Sequence, residues 1–320
     1  MGRWLGAKRS SKMKTLASAM ALLVGSNAIA AATDQSLKSL KSIVLGASLA
    51  AALAPPAFAK EWKTVAIAMD GAYAPWNFTD SSGQIVGFEP DLAMDLCKRA
   101  GFECKIISQD WDGMIPGLKA GKFDAIIDGM SITEERKKEI DFSKPYAAPP
   151  IAFMAAKDGP VAKALGPAKV VDATRDPAAG EVAIKAVQVA IKGMTIGVQS
   201  STIHAKFANK YLKDMATVKE YKSSDDRDLD LKAGRIDVAL DSSPAMAALL
   251  EKPDAKGLEI IGPEFKGNVG GVFGGVGTGI GLRKSDADLT AAFNNALDAA
   301  FADGSVQKYS IKWFKVDTTP

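Results

Sequence analysis

Short apolar runs alternate with amphipathic segments along residues 60–320, a pattern that predicts strands and helices in alternation. The expected strands are 63–68, 105–108, 124–127, 195–199, 217–221 and 237–240, and the expected helices are 90–100, 114–120, 201–211, one that ends at 233 and one that begins at 244. This alternation is typical of α/β folds with mainly parallel strands. Residues 158–192 are rich in Ala, Gly, Pro and Lys, and we expect a surface insertion there, with one helix over 180–192.

One short segment occurs twice. Residues 118–128 and 231–241 agree at six of eleven positions, and each copy reads as a helix end, a glycine and a buried strand that ends in an aspartate. Chance similarity between two helix-to-strand connections is the alternative explanation. If the repeat is genuine, two similarly built lobes direct a strand end to one place. Ligands of open α/β sheets lie beyond the carboxyl ends of the strands, so Asp128 and Asp241 would both face the ligand.

Length and composition favour a folded protein with two lobes. The 320 residues are 47% hydrophobic and 24% charged, which excludes intrinsic disorder and a polytopic membrane protein. Chains above ~250 residues generally form more than one core. The formal charge of +3 arises in residues 1–59, which hold seven Lys or Arg and one acid, so that the remainder carries a net charge of −3. Nucleic-acid binding is therefore not indicated.

Residues 1–59 have the layout of a secretory signal. An apolar run over 43–54 follows a basic flank and precedes two prolines and a small-residue end, and we expect cleavage after Ala59. This run is too short to span a bilayer as a helix, and a buried core helix is disfavoured because the run has no polar face. Another apolar run, over 16–32, is open to three interpretations: an alternative signal, an upstream extension, or sequence translated before the natural start.

The chain has two cysteines, Cys97 and Cys104. An exported protein enters an oxidising compartment, where the two can pair, because one lies at a helix end before Gly101 and the other at the start of a strand. Two free buried thiols are the alternative. Two cysteines and one histidine are too few soft ligands for a structural zinc site, so no metal is expected.

Several motifs, in a fixed order, resemble one protein family. The motifs are 70–76 (DGAYAPW), 87–92 (GFEPDL), 111–118 (WDGMIPGL), 131–136 (SITEER) and 142–146 (FSKPY). Together they resemble the polar amino-acid-binding proteins of bacterial ABC importers, the solute-binding proteins of family 3, over essentially all of residues 60–320. Within this family the chain looks most like the branch for basic amino acids and opines, through residues 73–76, the cysteine spacing and the end 312–317.

The resemblance implies a periplasmic binding protein of type II, an α/β fold of two Rossmann-like lobes with central, mainly parallel sheets joined by two hinge strands. Lobe I would comprise residues 60–148 and 275–320, lobe II residues 149–274, and the hinge strands 146–150 and 270–279. The resemblance also implies a periplasmic monomer, secreted through a cleaved signal and free of cofactors. Such a protein delivers a small amino acid or opine to the permease subunits of an ABC importer.

The family motifs assign the ligand site to thirteen residues of this sequence. Arg136 would hold the ligand carboxylate with its planar fork, next to Ser131. The helix start at Ser201 and Thr202 would offer backbone N–H groups to the same carboxylate from the other lobe. The remaining residues would receive the cationic end between aromatic and acidic side chains and complete the lining: Tyr73, Trp76 and Trp111; Asp70, Asp128 and Asp241; Gly129, Gln199 and Ser242.

Two departures from the family pattern leave the ligand open between a cationic amino acid (arginine, ornithine, lysine) and an opine (octopine, nopaline). Ser242 stands where the family has an aspartate for the α-ammonium group, which leaves room for the N-carboxyalkyl arm of an opine, although Asp241 is adjacent. Asp128 stands where small or hydroxyl residues are common, and its carboxylate would repel a second ligand carboxylate. His204, the one histidine of the chain, is expected at a helix surface.

An enzyme on the same fold is the alternative function. Some relatives of the family are cyclohexadienyl or arogenate dehydratases, which use cleft carboxylates as acid or base. The sequence contains no set of nucleophile, base and orienting acid, so a binding protein without enzyme activity is favoured.

Overall fold

The structure is a computed structural model, and it describes residues 62–273 and 276–320. The predicted signal over residues 1–59 and its cleavage site lie outside the described residues. Within those residues, no helix is both long enough and apolar enough to cross a membrane.

The described residues form fourteen strands, most of them short. They are β1 Thr64–Met69, β2 Ala72–Tyr73, β3 Asn77–Thr79, β4 Ile85–Val86, β5 Glu103–Ser108, β6 Ala125–Ile126, β7 Asp141–Ala147, β8 Ile151–Ala156, β9 Lys169–Asp172, β10 Thr195–Gln199, β11 Thr217–Tyr221, β12 Val238–Ser242, β13 Leu258–Lys266 and β14 Thr278–Leu282.

Ten α-helices connect these strands within the described ranges. They are α1 Phe88–Ala100, α2 Met114–Lys119, α3 Glu134–Glu139, α4 Pro160–Leu165, α5 Pro177–Ala190, α6 Ile203–Phe207, α7 Ser224–Lys232, α8 Ser243–Leu250, α9 Ala287–Ala302 and α10 Ser305–Phe314. Short 3₁₀ turns cover Trp111–Gly113 and Pro253–Ala255, and a π turn covers Ala208–Leu212.

The first large sheet has five strands in the order β5-β1-β6-β14-β7. Strand β1 is parallel to β5 and β6, whereas β14 is antiparallel to both of its neighbours. Four of the five strands therefore run in one direction. A small antiparallel sheet, β2-β3-β4, follows β1 and carries Tyr73 and Asn77.

The second large sheet has six strands in the order β11-β10-β12-β8-β13-β9. Strand β10 is parallel to β11 and β12, β8 is antiparallel to β12 and β13, and β9 is parallel to β13. Only β8 opposes the common direction. The predicted α/β fold with mainly parallel sheets is therefore confirmed.

Both faces of each large sheet are covered, which explains why the strands read as continuous apolar runs. In β1, Val65, Ile67 and Met69 pack against α1 and α9, whereas Ala68 packs on the opposite face with residues of α2. The second sheet packs against α5 and α6 on one face and α8 on the other. Strands that are held from both sides give the residues at their ends a rigid support.

Residues 158–192 contain more structure than the sequence indicated. Two helices, α4 and α5, and the strand β9 lie in this stretch, so the prediction of an insertion with a single helix is wrong. Strand β9 pairs with β13 and forms an edge of the six-stranded sheet. Pro160 and Pro177 lie in the first turns of the two helices. The backbone N–H that proline lacks would have no partner within the helix at this position, so proline costs no hydrogen bond there. A strand of four residues is too short to give a clear sequence pattern.

Two other segments also differ from the prediction. The helix predicted over 201–211 begins at Ile203, because the side chain of Thr202 caps it by accepting a hydrogen bond from the Ala205 N–H at 3.1 Å. The hinge strand predicted over 270–279 begins only at Thr278. The prediction is wrong for the earlier residues, since 270–273 form a turn.

Cys97 and Cys104 form a disulfide that joins the last turn of α1 to β5. Between them, Gly101 ends α1 in the left-handed conformation, at φ 74°, and its N–H donates to the carbonyls of Cys97 and Lys98. The predicted pairing of the two cysteines is confirmed.

Gly87 controls the entry of the chain into α1. Its φ of 139° and ψ of −169° lie in a region that is essentially restricted to glycine. A Cβ at this position would lie 2.4 Å from the carbonyl oxygen of Trp76. The following N–H groups, of Phe88 and Glu89, donate to the carbonyls of Pro75 and Trp76 at 3.0 and 2.9 Å. This turn therefore determines where Trp76 and Glu89 enter the core.

Replacing Gly87 should expose the cost of this close approach. Gly87→Ala should lower the free energy of unfolding by at least about 3 kcal/mol, because backbone strain adds to a clash with a carbonyl that cannot move aside. Gly101→Ala is the matched control, because its Cβ would meet nothing within 4 Å and only strain of about 1 kcal/mol remains. Urea unfolding followed by circular dichroism measures the free energy of unfolding of both variants. Equal losses would contradict the inference that the Trp76 carbonyl excludes a side chain at position 87.

Candidate functional site

The predicted site residues lie where strands end. Asp70 directly follows β1, Asp128 lies two residues after β6, Gln199 ends β10 and Asp241 is next to last in β12. β1 and β6 are parallel neighbours in the first sheet, as are β10 and β12 in the second. The carboxyl ends of the two sheets meet, since the Tyr73 hydroxyl donates to Asp241 Oδ1 at 2.6 Å. Both copies of the repeated segment thus bring their aspartate to one place.

A pocket of about 30 Å³, here called the inner pocket, lies between these strand ends. Ile203 and His204 line it together with ten of the thirteen predicted residues: Asp70, Tyr73, Trp111, Asp128, Gly129, Ser131, Arg136, Gln199, Thr202 and Asp241. Trp76 and Ser242 instead line an adjoining cavity of about 300 Å³, here called the annex. Ser201 lies in an outer groove that also reaches Arg136.

Arg136 is held at one end of the inner pocket by neutral groups. Its Nη1 donates to the carbonyl of Ser131 at 2.9 Å and its Nη2 to the carbonyl of Ser201 at 3.1 Å. The guanidinium lies over the Trp111 ring, 5.2 Å from its centroid. Burial lowers the pKa of Arg136 to about 10, so the group stays charged at neutral pH. Among the described residues, no carboxylate forms an ion pair with it.

The helix start opposite Arg136 is formed by Ser201 and Thr202. Ser201 has a left-handed φ of 59°, which turns its carbonyl toward the Arg136 guanidinium. Thr202 acts as the N-cap of α6 and lines the inner pocket at the same time. The structure therefore places these residues beside Arg136, as expected.

Asp241 lines the inner pocket together with Asp70 and Asp128, but its charge is already balanced within the protein. Its Oδ2 is ion-paired with Nη1 of Arg227, a side chain only 1% exposed, and accepts from Ser224 Oγ at 3.2 Å. Its Oδ1 accepts from Tyr73 and from the Ser242 N–H, both at 2.6 Å. Burial would raise the pKa of Asp241, but the charge of Arg227 outweighs it and lowers this pKa to about 2.

Sequence reasoning missed Arg227 for an identifiable reason. It lies on α7 in the run 224–230, which contains four aspartates, and such a run reads as a solvated helix face. Arg227 and Asp228 are nevertheless buried, and the two side chains form an ion pair at 2.7 Å. The sequence did contain one indication of this burial: Asp241, in the adjacent copy of the repeat, lies in a buried strand, and a buried carboxylate requires a nearby cation.

Asp70 and Asp128 belong to a cluster of three carboxyl groups, together with Glu89, which sequence reasoning also missed. Asp128 Oδ1 accepts from the Asp70 N–H at 3.1 Å and from Asn77 Nδ2 at 2.8 Å. The same Nδ2 donates to Glu89 Oε2 at 2.7 Å. Glu89 Oε1 accepts from the Gly129 N–H at 2.6 Å and from the Tyr146 hydroxyl. We refer to Asp70, Glu89 and Asp128 as the carboxyl cluster.

The carboxyl cluster contains no neutralising cation. In the part of the chain that the structure describes, no Lys or Arg forms an ion pair with any of its three members. Burial therefore raises the pKa of Asp70 to about 6 and that of Glu89 to about 7. Burial raises the pKa of Asp128 well above its ordinary value, and Asp70 and Glu89 add repulsion. This end of the inner pocket favours a positive charge.

His204 is buried rather than at the surface, which corrects the expectation from its position on a helix. It is 8% exposed, and it lines both the inner pocket and the annex. Its Nδ1 lies 3.9 Å from Asp241 Oδ1, and its Nε2 is buried without a hydrogen-bond partner. Burial lowers the pKa of His204 to about 4, so the ring is neutral at neutral pH and offers a free polar atom.

The annex continues from the inner pocket. The two cavities share five lining residues: Tyr73, Gly129, Ser131, Ile203 and His204. Trp76 is 1% exposed, stacks on Tyr73 at 5.9 Å and donates to Ser242 Oγ at 3.2 Å, so it forms a fixed wall of the annex. Farther out the annex reaches Arg175 and Lys266.

Removing Arg227 should leave the Asp241 charge buried and uncompensated. Arg227→Met should therefore cost about 3–5 kcal/mol of unfolding free energy at pH 7. Arg235→Met, which breaks an exposed ion pair with Asp230, is the control and should cost about 1 kcal/mol or less. Denaturant unfolding measures both variants.

The pH dependence gives a second readout. Because the folded-state pKa of Asp241 lies below 3.8, its stabilisation is complete above about pH 4 and is lost as the pH falls toward 2. Arg227→Met should lose this part of the pH dependence. If Arg227→Met proved as stable as Arg235→Met, this result would contradict the ion pair between Arg227 and Asp241.

Comparison with known proteins identifies the family. The model of the bacterial extracellular solute-binding proteins, family 3, matches residues 65–316. The octopine-binding periplasmic protein of Rhizobium meliloti is 39% identical over 88% of this chain and 99% of its own length. The lysine/arginine/ornithine-binding periplasmic protein of Escherichia coli (strain K12) is 35% identical over 86% of this chain and 97% of its own.

A solved structure agrees with these relatives. An ancestral arginine-binding protein bound to arginine superposes with a TM-score of 0.64 at 30% identity, over 78% of this chain and 98% of that one. The residues matched by the family model include both large sheets and the strand ends between them. The chain belongs to the bacterial extracellular solute-binding proteins of family 3.

Proposed function

We propose that the chain captures a cationic amino acid or an opine in the periplasm and delivers it to the permease subunits of an ABC importer. The observation that carries this proposal is the charge arrangement of the inner pocket. Arg136, which has no carboxylate partner among the described residues, lines the same pocket as Asp70 and Asp128 of the carboxyl cluster, which have no cation partner there. A molecule with an acid group and a distant positive charge complements both. The names of the relatives fit the same class of ligand.

In this proposal Arg136 binds the ligand carboxylate. Two of its five N–H donors are used by the carbonyls of Ser131 and Ser201, so others remain for a carboxylate. The start of α6 at Thr202 offers backbone N–H groups from the opposite side. The Thr202 hydroxyl itself is engaged, since it donates to the Gln199 carbonyl at 2.7 Å and accepts from the Ala205 N–H. The carboxylate then joins elements from both sheets.

The cationic end would lie between Tyr73 and Trp111, toward Asp70 and Asp128. A guanidinium over an aromatic ring gains roughly 0.5–2 kcal/mol from cation–π attraction. Gly129 suits this place because it has a left-handed φ of 58°, and a Cβ there would lie 2.8 Å from the Tyr73 ring. Asp70 and Asp128 then select for positive charge.

The contacts between the two sheets support a closing movement in which lobe I and lobe II meet over the ligand. Tyr73 contacts Asp241 and Ser242, and Asp110 pairs with Lys222 at 2.7 Å. A ligand held by residues from both sides binds the closed form better than an open one, which shifts the equilibrium toward closure.

The annex favours an opine over a free amino acid. An α-ammonium group near Ser242 would meet a hydroxyl and an Asp241 charge that Arg227 already balances. The secondary ammonium group of an opine carries the same charge, but the second carboxylate on its carboxyalkyl arm balances that charge within the ligand, and the arm fills the annex. The second carboxylate of the arm would meet the free Nε2 of His204 and, beyond it, Arg175, whose guanidinium also lies 3.4 Å from the Asp172 carboxylate.

A dehydratase is the less supported function. Glu89 has the raised pKa that suits an acid or base, but it is fully buried and is not among the residues that line the inner pocket. The two named relatives are binding proteins.

Removing the Arg136 charge should abolish binding. Arg136→Ala should weaken arginine and octopine at least about 100-fold, because the ligand carboxylate would enter a pocket rich in acids. Lys137→Ala on the same helix is the control and should bind normally, since Lys137 is exposed and pairs only with Glu134. Isothermal titration calorimetry measures the affinities, and near-normal binding by Arg136→Ala would refute the proposed function.

The annex is tested by charge reversal at its outer end. Arg175→Glu should weaken octopine several-fold more than arginine, because only octopine carries a second carboxylate into the annex. Lys185→Glu, at an exposed position of α5, makes the same charge change away from the cavity and should affect both ligands equally. An equal loss of both ligands in Arg175→Glu would leave the annex without a role in the choice of ligand.

A further inference from the structure

The carboxyl cluster has an incomplete hydrogen-bond network. Asp128 is 2% exposed and lines the inner pocket, and its Oδ2 is buried without a hydrogen-bond partner. Its other oxygen, Oδ1, is fully engaged by the Asp70 N–H and by Asn77. A buried carboxylate oxygen without a partner is costly, so this atom is suited to accept a donor from a ligand.

The cluster is built entirely by the segment that precedes β8. Asp70, Asn77, Glu89, Asp128 and Tyr146 all lie between β1 and the end of β7. Every hydrogen bond that connects them is internal to this segment. The hydrogen bonds among these five residues therefore do not require the second sheet, although Gln199 of that sheet also donates to Asp70.

The surrounding charges do not neutralise the cluster. Asp110 and Asp225 add negative charge near Asp70, and Gln199 donates to it. Tyr146, Asn77 and the Gly129 N–H face Glu89 and are neutral donors.

Across the inner pocket lie one cation, Arg136, the neutral His204, and Asp241, whose charge Arg227 balances. Three ionised carboxylates in this position would repel one another without compensation, so the empty protein retains protons on the cluster.

We propose that Asp128 accepts the cationic end of the ligand together with Asp70, and that the carboxyl cluster releases a proton when this cation binds. The inference rests on the proposed function, because it requires a cationic ligand. Asn77 and Glu89 act as positioning residues, since Asn77 holds Oδ1 of Asp128 and is itself fixed by Glu89. Oδ2 of Asp128 is thereby directed to the ligand.

The sign of the pH dependence follows from linkage. A ligand cation stabilises the ionised carboxylates and lowers their pKa values from the raised values of about 6 and 7 in the empty protein. Binding therefore requires proton loss at low pH. Affinity for a cationic ligand should increase with pH through the range in which the cluster titrates, and it should fall by up to about tenfold per pH unit below pH 6 for each proton released.

The empty protein provides the first test. Carbon-13 NMR of the carboxyl groups should show at least one Asp or Glu of the cluster that titrates above pH 5.5, and Asp128→Asn should change this titration. Asp298→Asn, which removes an exposed carboxylate paired with Lys144, is the control and should not change it. Titration of every carboxyl group below pH 5 would overturn the proposal, whether or not any ligand binds.

Calorimetry provides the second test. Arginine titrations at pH 6.0 in two buffers of different ionisation enthalpy should reveal a net release of protons by the natural protein and by Asp298→Asn. Asp128→Asn should release fewer protons and bind arginine at least about tenfold more weakly at pH 7.5. Thermal unfolding of each variant verifies its folding. Arginine binding without proton release would refute the exchange and leave the proposed function intact, whereas failure of arginine and octopine to bind at any pH would refute the proposed function.

Discussion

The site depends on keeping opposite charges apart. Arg136 is fixed by two backbone carbonyls and an aromatic face, all of them neutral, while Asp70 and Asp128 line the same pocket. Asn77 connects Asp128 to the buried Glu89, and none of the three carboxyl groups pairs with a cation among the described residues. Had Arg136 paired with one of these acids, the pocket would be electrically satisfied and would gain little from a ligand. The carbonyls of Ser131 and Ser201 hold the guanidinium by two of its five N–H donors without balancing its charge, so the remaining donors stay available to a ligand carboxylate.

The two aspartates of the internal repeat show how one strand-end position can serve two purposes. Asp241 is paired with Arg227 and bonded to Tyr73, so it holds the pocket walls in place. Asp128 occupies the equivalent place in the other copy, but its neighbours are Asn77 and other acids. The helix that faces each strand end decides the difference, because α7 supplies a cation and α1 supplies Glu89. Identical sequence patterns therefore lead to one neutralised and one unneutralised carboxylate.

The sequence predicted those features that depend on local pattern. Alternating apolar runs, the glycine that ends α1 and the paired cysteines follow from spacing over a few residues, and the motifs placed Asp70, Tyr73 and Arg136 at one pocket. Burial of Arg227, Glu89 and His204 depends on which face of a helix meets a sheet distant in sequence, and the few residues around a single polar side chain do not determine that choice. The same limit explains β9, whose four residues become a strand only because the edge of β13 is available.

Closure of the two sheets over a ligand requires that the closed form be only marginally stable when empty. The contacts that cross the gap near the surface, Asp110 with Lys222 and Glu135 with Lys206, are exposed ion pairs, and such pairs contribute about 0–1 kcal/mol each. The buried bond from Tyr73 to Asp241 adds a contribution of similar size. In the closing movement that we propose, these terms would guide the two sides into register without holding them shut, whereas a ligand that satisfies Arg136 and the carboxyl cluster together would supply the larger difference between open and closed forms. A pocket left electrically incomplete would therefore make such a closure depend on the ligand.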